Sequence, residues 1–423
     1  SQGNLTANIT GLFDNHNQGN LVSQGAQQVS VGQLNNAQAG LVSSKNTLVL
    51  HGDTLANQGG LVIADGAMTL SGGSVDNSQQ GVISSKANTR VELASLNNST
   101  GGRLSSDGGL TLSASQIENG AGRISAKGDL LATVGVLNQQ AGELVSEGVL
   151  SFTGTALDNR NGGLIAATRG VDLYSPSILN QQGEISSQAR VRLGADQLTN
   201  SGGKVIGDGG LILTVQRLLN QNKGLLAARQ SLQLNGGQLD NSLGGRVISQ
   251  TGVNINLSGD LLNQGQGVLL SDGALTLNAG TLNNSQAGVI SAKQQLDLRS
   301  AGLNNSQRGS ISSDAGILLN TGQLDNSQQG SIFAKSTLQA NLAGLDQHDR
   351  GELVSNTAID LDLNHGQLIN RDHGLIATPG QLLLRNLGSV DNSQGGELSS
   401  TQSFAVVADT LNNRGGKVIS GDS

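Results

Sequence analysis

Two groups of side chains in this sequence have the types and spacing for chemistry. Asp360 and Asp362 flank Leu361 in the run AIDLDL. On an extended strand both carboxylates share one face, about 6.5 to 7 Å apart, a spacing compatible with glycoside hydrolysis. Around them His348, His365 and His373 gather with Asp346, Asp349 and Asp372. Imidazole and carboxylate together suit a divalent metal. Each group depends on the backbone that would position it, and that backbone is set by a repeat.

The repeat is clearest in LNNSQAGVISAKQQLDLRSAG, residues 282 to 302. An apolar residue stands two places before an asparagine (Leu282, Asn284). A glycine precedes an aliphatic and a small residue (Gly288, Ile290, Ala292), and an alternating apolar pair follows (Leu296, Leu298). Aligned on the asparagine, the copies fall at Asn15, Asn36, Asn57, Asn77, Asn98, Asn119, Asn138, Asn159, Asn180, Asn200, Asn220, Asn241, Asn263, Asn284, Asn305, Asn326, Gln347, Asn370, Asn392 and Asn413. Intervals run from 19 to 23 residues and are mostly 21. On this alignment the residue two places earlier is always apolar, as at Phe13, Leu34, Val136 and Leu411.

Alternation of period two reads as strand, and no stretch has helical periodicity. Clusters such as Asp107-Gly108, Asp272-Gly273 and Asn-Ser-Gln supply turn residues where positive φ is needed. Successive strands are separated by only a few residues, too few for a crossover helix. Each copy must therefore coil and pair in parallel with its neighbours. The expected fold is an all-β parallel β-helix, three short strands per coil, about twenty coils in one continuous domain over residues 1–423. At the usual strand spacing such an array would be roughly 95 Å long.

Stacking gives the asparagines a structural role, because each side-chain amide can donate to the next and accept from the one before, so that buried amides are satisfied. The small residue, Ser or Ala almost throughout, fits where the coil turns tightly, and Pro176 and Pro379 fall in turns, as a ladder requires. The region around Gln347 is the least regular, since it lacks the Asn and the next two intervals are 23 and 22 residues. Extra residues in a solenoid bulge at a turn.

The same register weakens both chemical candidates. It sets His348 over Arg371 and Arg350 over His373, which puts two cations among the would-be metal ligands. An Asp between core leucines is how a half-buried strand keeps its outer face wet, and no aromatic or basic platforms accompany Asp360 and Asp362. The expectation is no enzyme, no metal and no cofactor. Triplets such as Asn97-Asn98-Ser99, Asn283-Asn284-Ser285 and Asn304-Asn305-Ser306 match the N-glycosylation acceptor pattern, but stacking accounts for their Asn more simply. A leucine-rich repeat is excluded, because there the Asn follows the Leu-x-Leu pair after two residues, and the calcium-binding nonapeptide is missing.

Composition agrees with a narrow core. The chain is 35% hydrophobic with 62 Gly, four Phe, one Tyr, no Trp and no Cys, and its net charge is −7. Disordered chains combine low hydrophobicity with high net charge. The 24 basic and 31 acidic residues are spread along the length, without a stripe for nucleic acid or a polybasic segment for anionic lipid. No apolar run is long enough to insert in a membrane as a helix. Zero cysteine permits export through an oxidising compartment. Both ends fall inside the repeat pattern, so the chain reads as a segment of something longer.

The unit L-N-N-x-x-x-G-x-I-x-S/A followed by L-x-L, running the whole chain, resembles the haemagglutinin repeats of filamentous haemagglutinin-type exoproteins of bacterial two-partner secretion. That family includes adhesins and contact-dependent growth inhibition toxins. The resemblance implies a right-handed β-helical stalk, secreted and displayed at the cell surface. It implies export through an outer-membrane transporter of the two-partner type, and a receptor-binding or toxin region outside this segment aimed at a target cell. A second reading is an adhesive shaft gripping glycan or a neighbouring cell through its lateral surface; a third is a β-helical polysaccharide lyase or hydrolase.

Overall fold

The computed structural model describes residues 1–421, so the last two residues of the expected 1–423 domain lie outside it. Two compact units are present, Ser1–Gly209 and Gly210–Ser423. Each is a β-solenoid of coils about 21 residues long, and no helix occurs among the described residues.

In the first unit a coil is represented by the short strand Arg103–Ser106, a turn, the long strand Leu110–Glu118 and a second turn. Short strands pair only with short ones, Leu104 beside Ile83 and Ile124. Long strands pair likewise, Leu110 beside Thr89 and Leu130, always in parallel. The second unit repeats the scheme, with Val289–Ala292 and Leu296–Asn304 pairing in register with Ser310–Ser313 and Ile317–Asp325. Pairing like with like follows from the apolar pattern, since a one-residue slip would turn every inward side chain to solvent.

Inward positions stack into columns. In the first unit Val42, Val62, Ile83, Leu104 and Ile124 form one; Leu50, Leu70, Val91, Leu112 and Phe152 lie on another wall, and Leu34, Leu55, Val75, Leu96 and Ile117 on a third. In the second unit Val247, Leu269, Ile290, Ile311 and Ile332 do the same. Each such side chain contributes about 1.5–3 kcal/mol by leaving water. Apart from Phe152, which lies in register with the small Ala132, the side chains named in these columns are aliphatic.

Three strands per coil, as expected from sequence, is corrected: most coils have two. The long strand keeps its alternation to Ala114, then places two outward residues, Ser115 and Gln116, before Ile117 points inward again. The second and third faces are thus one strand bent at a corner, with hydrogen bonding carried through. Only where the corner opens do three strands appear, as at Gly170–Tyr174 and Ser177–Leu179, with Pro176 in the bend. The irregular coil places its extra residues at this same corner. Leu363 is buried there and extends the core, while Asn364 and His365 take φ of 50° and 63°.

The turns assign roles differently from the sequence reading. Asp107-Gly108 and Asp272-Gly273 do not carry positive φ. Their glycines answer to close approach instead, since a Cβ on Gly273 would lie 1.5 Å from the Thr251 carbonyl oxygen. Positive φ sits in the Asn-Ser-Gln turns, on residues with side chains: Gln286 at 53° and Ala287 at 61°. The small residue behind the unit glycine does more than avoid a clash. Ser106 Oγ reaches the carbonyls of Ala87 at 2.6 Å and Gly109 at 3.0 Å, tying two successive turns.

Candidate functional site

The main buried polar constellation is the amide column, built where the third face ends. In the second unit Asn284 is fully buried, and its Nδ2 donates to Asn305 Oδ1 at 2.8 Å while its Oδ1 accepts from Asn263 Nδ2 at 2.7 Å. The same Nδ2 lies 3.1 Å from the carbonyl oxygens of Gly288 and Ser310. The chain of donation runs Asn220, Asn241, Asn263, Asn284, Asn305, Asn326, Gln347, Asn370, Asn392, Asn413, always from one coil to the next. In the first unit it runs Asn15, Asn36, Asn57, Asn77, Asn98, Asn119 and, separately, Asn159, Asn180, Asn200. Amides aligned in this way polarise one another. Asn413 is the exposed rung.

One rung differs from the sequence alignment. Asn138 is not in the column: its side chain faces outward and donates to Glu118 Oε2 at 2.7 Å. The rung is Gln139, fully buried, which accepts from Asn119 Nδ2 at 2.7 Å. Correspondingly Leu137 is the buried apolar residue and Val136 is 43% exposed. The longer glutamine does not hand the bond on. Its Nε2 lies 3.3 Å from the Leu164 carbonyl oxygen, and Asn159 Oδ1 is left buried without a partner. Gln139→Asn should restore the bond and raise stability by about 1 kcal/mol, measured by chemical denaturation; a variant no more stable than the parent removes this account.

The unit glycine is fixed by the same column. A Cβ on Gly288 would lie 2.5 Å from the Asn263 carbonyl oxygen and 2.6 Å from Asn284 Oδ1. Its φ is ordinary, so what the position excludes is bulk.

A second, outer column precedes the first by one residue. Asp76, Asn97, Asp240, Asn283, Asn304, Asp325 and Asp391 each accept, through Oδ1, the backbone N–H of the Ser two places on. This is the Asx-turn, in which Asp and Asn serve alike. The glycosylation-like triplets are therefore turn signatures: Asn97, Asn283 and Asn304 occupy the position that Asp76 and Asp240 hold elsewhere.

The chemical candidates are tied into the surface. Arg385 grips Asp360 with two hydrogen bonds, Nε at 2.9 Å and Nη2 at 2.7 Å. Asp362 accepts from the Asn364 backbone N–H at 3.0 Å and from Asn386 Nδ2 at 2.9 and 3.0 Å. These bonds, the backbone one foremost, hold its carboxyl below the ordinary 3.8. A glycosidase acid needs the opposite displacement. Because the folded value is depressed, the stabilisation is present above pH 3.8 and is lost as pH falls through the folded value. An NMR titration should find the Asp362 midpoint below 3.8, moving upward in Asn386→Ala; a midpoint at or above that value in the parent contradicts the assignment.

His348 Nδ1 lies 2.6 Å from Asp346 Oδ1, and its coil neighbour Arg371 reaches Asp372 at 2.9 Å. No group of three or more His, Asp or Glu able to hold a metal ion occurs among the described residues.

A family model described as a haemagglutinin repeat matches residues 1–92, 86–154, 140–216, 199–265 and 267–423. No curated protein and no solved structure matches the chain. Those matches, a coil of about 21 residues and an amide at the end of each third face describe one repeat: the chain belongs to the haemagglutinin-repeat family.

Proposed function

We propose that the chain is a stalk segment of a secreted, surface-displayed bacterial exoprotein, holding a receptor-binding or toxin region toward a target cell. The observation that carries this reading is that the polar and apolar groups able to do work inside each coil are consumed by its neighbours. Amides face amides, leucines stack on leucines, and the Asp360 and Asp362 carboxylates are held by Arg385 and Asn386. What such coils supply is length. Family membership supports an adhesin-like, secreted and surface-associated protein, and the route out is an outer-membrane transporter of the two-partner type.

The test is whether coils can be removed. Loss of residues 282–323 from the parent exoprotein should leave export and display intact and reduce delivery or adhesion only as reach shortens.

A further inference from the structure

Tyr174 is the single tyrosine of a chain without tryptophan, and it is 44% exposed on the outer face of the long-strand sheet of the first unit. It closes the strand Gly170–Tyr174, whose Val171 and Leu173 point inward. Register sets Thr153 on one side of it and Gly194 on the other. The ring occupies the room a Cβ on Gly194 would need, with Cδ1 2.8 Å and Cε1 3.2 Å from that position. It therefore lies over bare backbone and presents the rest of its surface to solvent.

Two residues back on the same face stands Asp172, beside Arg192. Arg190 shares that outward face. The side chains of Arg190, Arg192 and Asp172 make no hydrogen bond or ion pair among the described residues. Arg160 and Arg169 of the same unit are engaged instead, by Asp158 and by Asp129, each at 2.7 Å. Asp172, Tyr174, Arg192 and Gly194 thus form a tile of about 5 by 7 Å, with Arg190 at its edge.

We propose that this tile binds an acidic sugar, a uronate residue of a polysaccharide. A guanidinium fork matches a planar carboxylate. The aromatic ring offers an apolar face to the sugar's C–H face. Asp172 accepts from sugar hydroxyls, and two cations against one carboxylate leave the tile net positive. An acidic peptide fits less well, since the strands here are paired on both sides and leave no edge for a peptide backbone to join. This site stands independently of the stalk reading.

With no other tyrosine or tryptophan present, tyrosine emission reports this site alone. Titration with an oligogalacturonate should change that emission saturably, whereas a neutral galactose oligomer and polyglutamate should not. In Arg192→Gln the affinity should fall about tenfold, the loss of one charge-assisted pair, while the melting curve stays that of the parent. No response to the uronate, or an unchanged affinity in Arg192→Gln, overturns the proposal. An equal response to polyglutamate overturns the sugar in favour of an acidic peptide.

Discussion

Replacing Asn284 by leucine should destabilise the second unit by about 1–3 kcal/mol, toward the upper end of that range. Leucine has the branching of asparagine, but its methyls need more room than the 2.7 and 2.8 Å amide contacts give, so crowding adds to the cost. What is lost is the hand-over: the buried Asn305 Oδ1 loses its donor, while Asn263 Nδ2 loses its side-chain acceptor and keeps the Gly267 and Val289 carbonyls at 3.1 Å. The Gly288 and Ser310 carbonyls lose a donor as well. Stranding the Asn305 oxygen costs more than removing one bond, because it keeps its desolvation cost with nothing in return. The neighbouring residue is the control. Asn283→Asp should melt with the parent, since Asp76 and Asp240 make the same turn. An unchanged denaturation curve for Asn284→Leu would remove the amide column as a source of stability.

Deleting residues 282–323 should leave a folded chain. Thr281 pairs with Gly302 and Gly302 with Gln323, while Leu282, Leu303 and Leu324 share one inward column. Joining Thr281 to Leu324 therefore rebuilds the same corner, and Asn263 meets Asn326 as it met Asn284. Nearest-neighbour arrays tolerate such loss. A control lacking residues 282–291 should fail. It moves Leu298 into the place of Gly288, where even a Cβ would lie 2.5 Å from the Asn263 carbonyl oxygen, and puts Gln294 at the rung. On the stalk reading the first deletion should be exported and the second not. If the in-register deletion is displayed normally yet abolishes target binding, while two coils removed elsewhere do not, the shaft is itself the recognition surface and the stalk reading fails.

The solenoid was legible because its core is periodic, and aliphatic columns leave their spacing in the sequence. Gln139 was less so. Val136-x-Asn138 and Leu137-x-Gln139 both satisfy an apolar residue two places before an amide, and asparagine was the commoner rung. The deciding signal was further back: Leu112 to Ile117 is five residues, and so is Ala132 to Leu137. The bent long strand was illegible for another reason. A corner that keeps its hydrogen bonds shows in sequence only as two successive outward residues, Ser115 and Gln116, which look like a loop. Positive φ was partly misplaced because glycine signals either left-handed backbone or missing bulk; Gly273 and Gly288 are present for the second. Tyr174 carried no sequence signal, since its platform arises from Gly194 twenty residues away.

In the second unit the asparagine amides from Asn241 to Asn326 hand the bond on in one direction, Nδ2 forward and Oδ1 back. The coils are therefore vectors, and their two faces are not interchangeable. A surface that covers a coil from its forward side must bring acceptors, and one that covers it from behind must bring N–H donors. Two copies meeting forward face to forward face would oppose donor to donor. A symmetric pair through these faces would oppose like groups, and a coil-to-coil contact between copies would have to run head to tail, the geometry that propagates without closing.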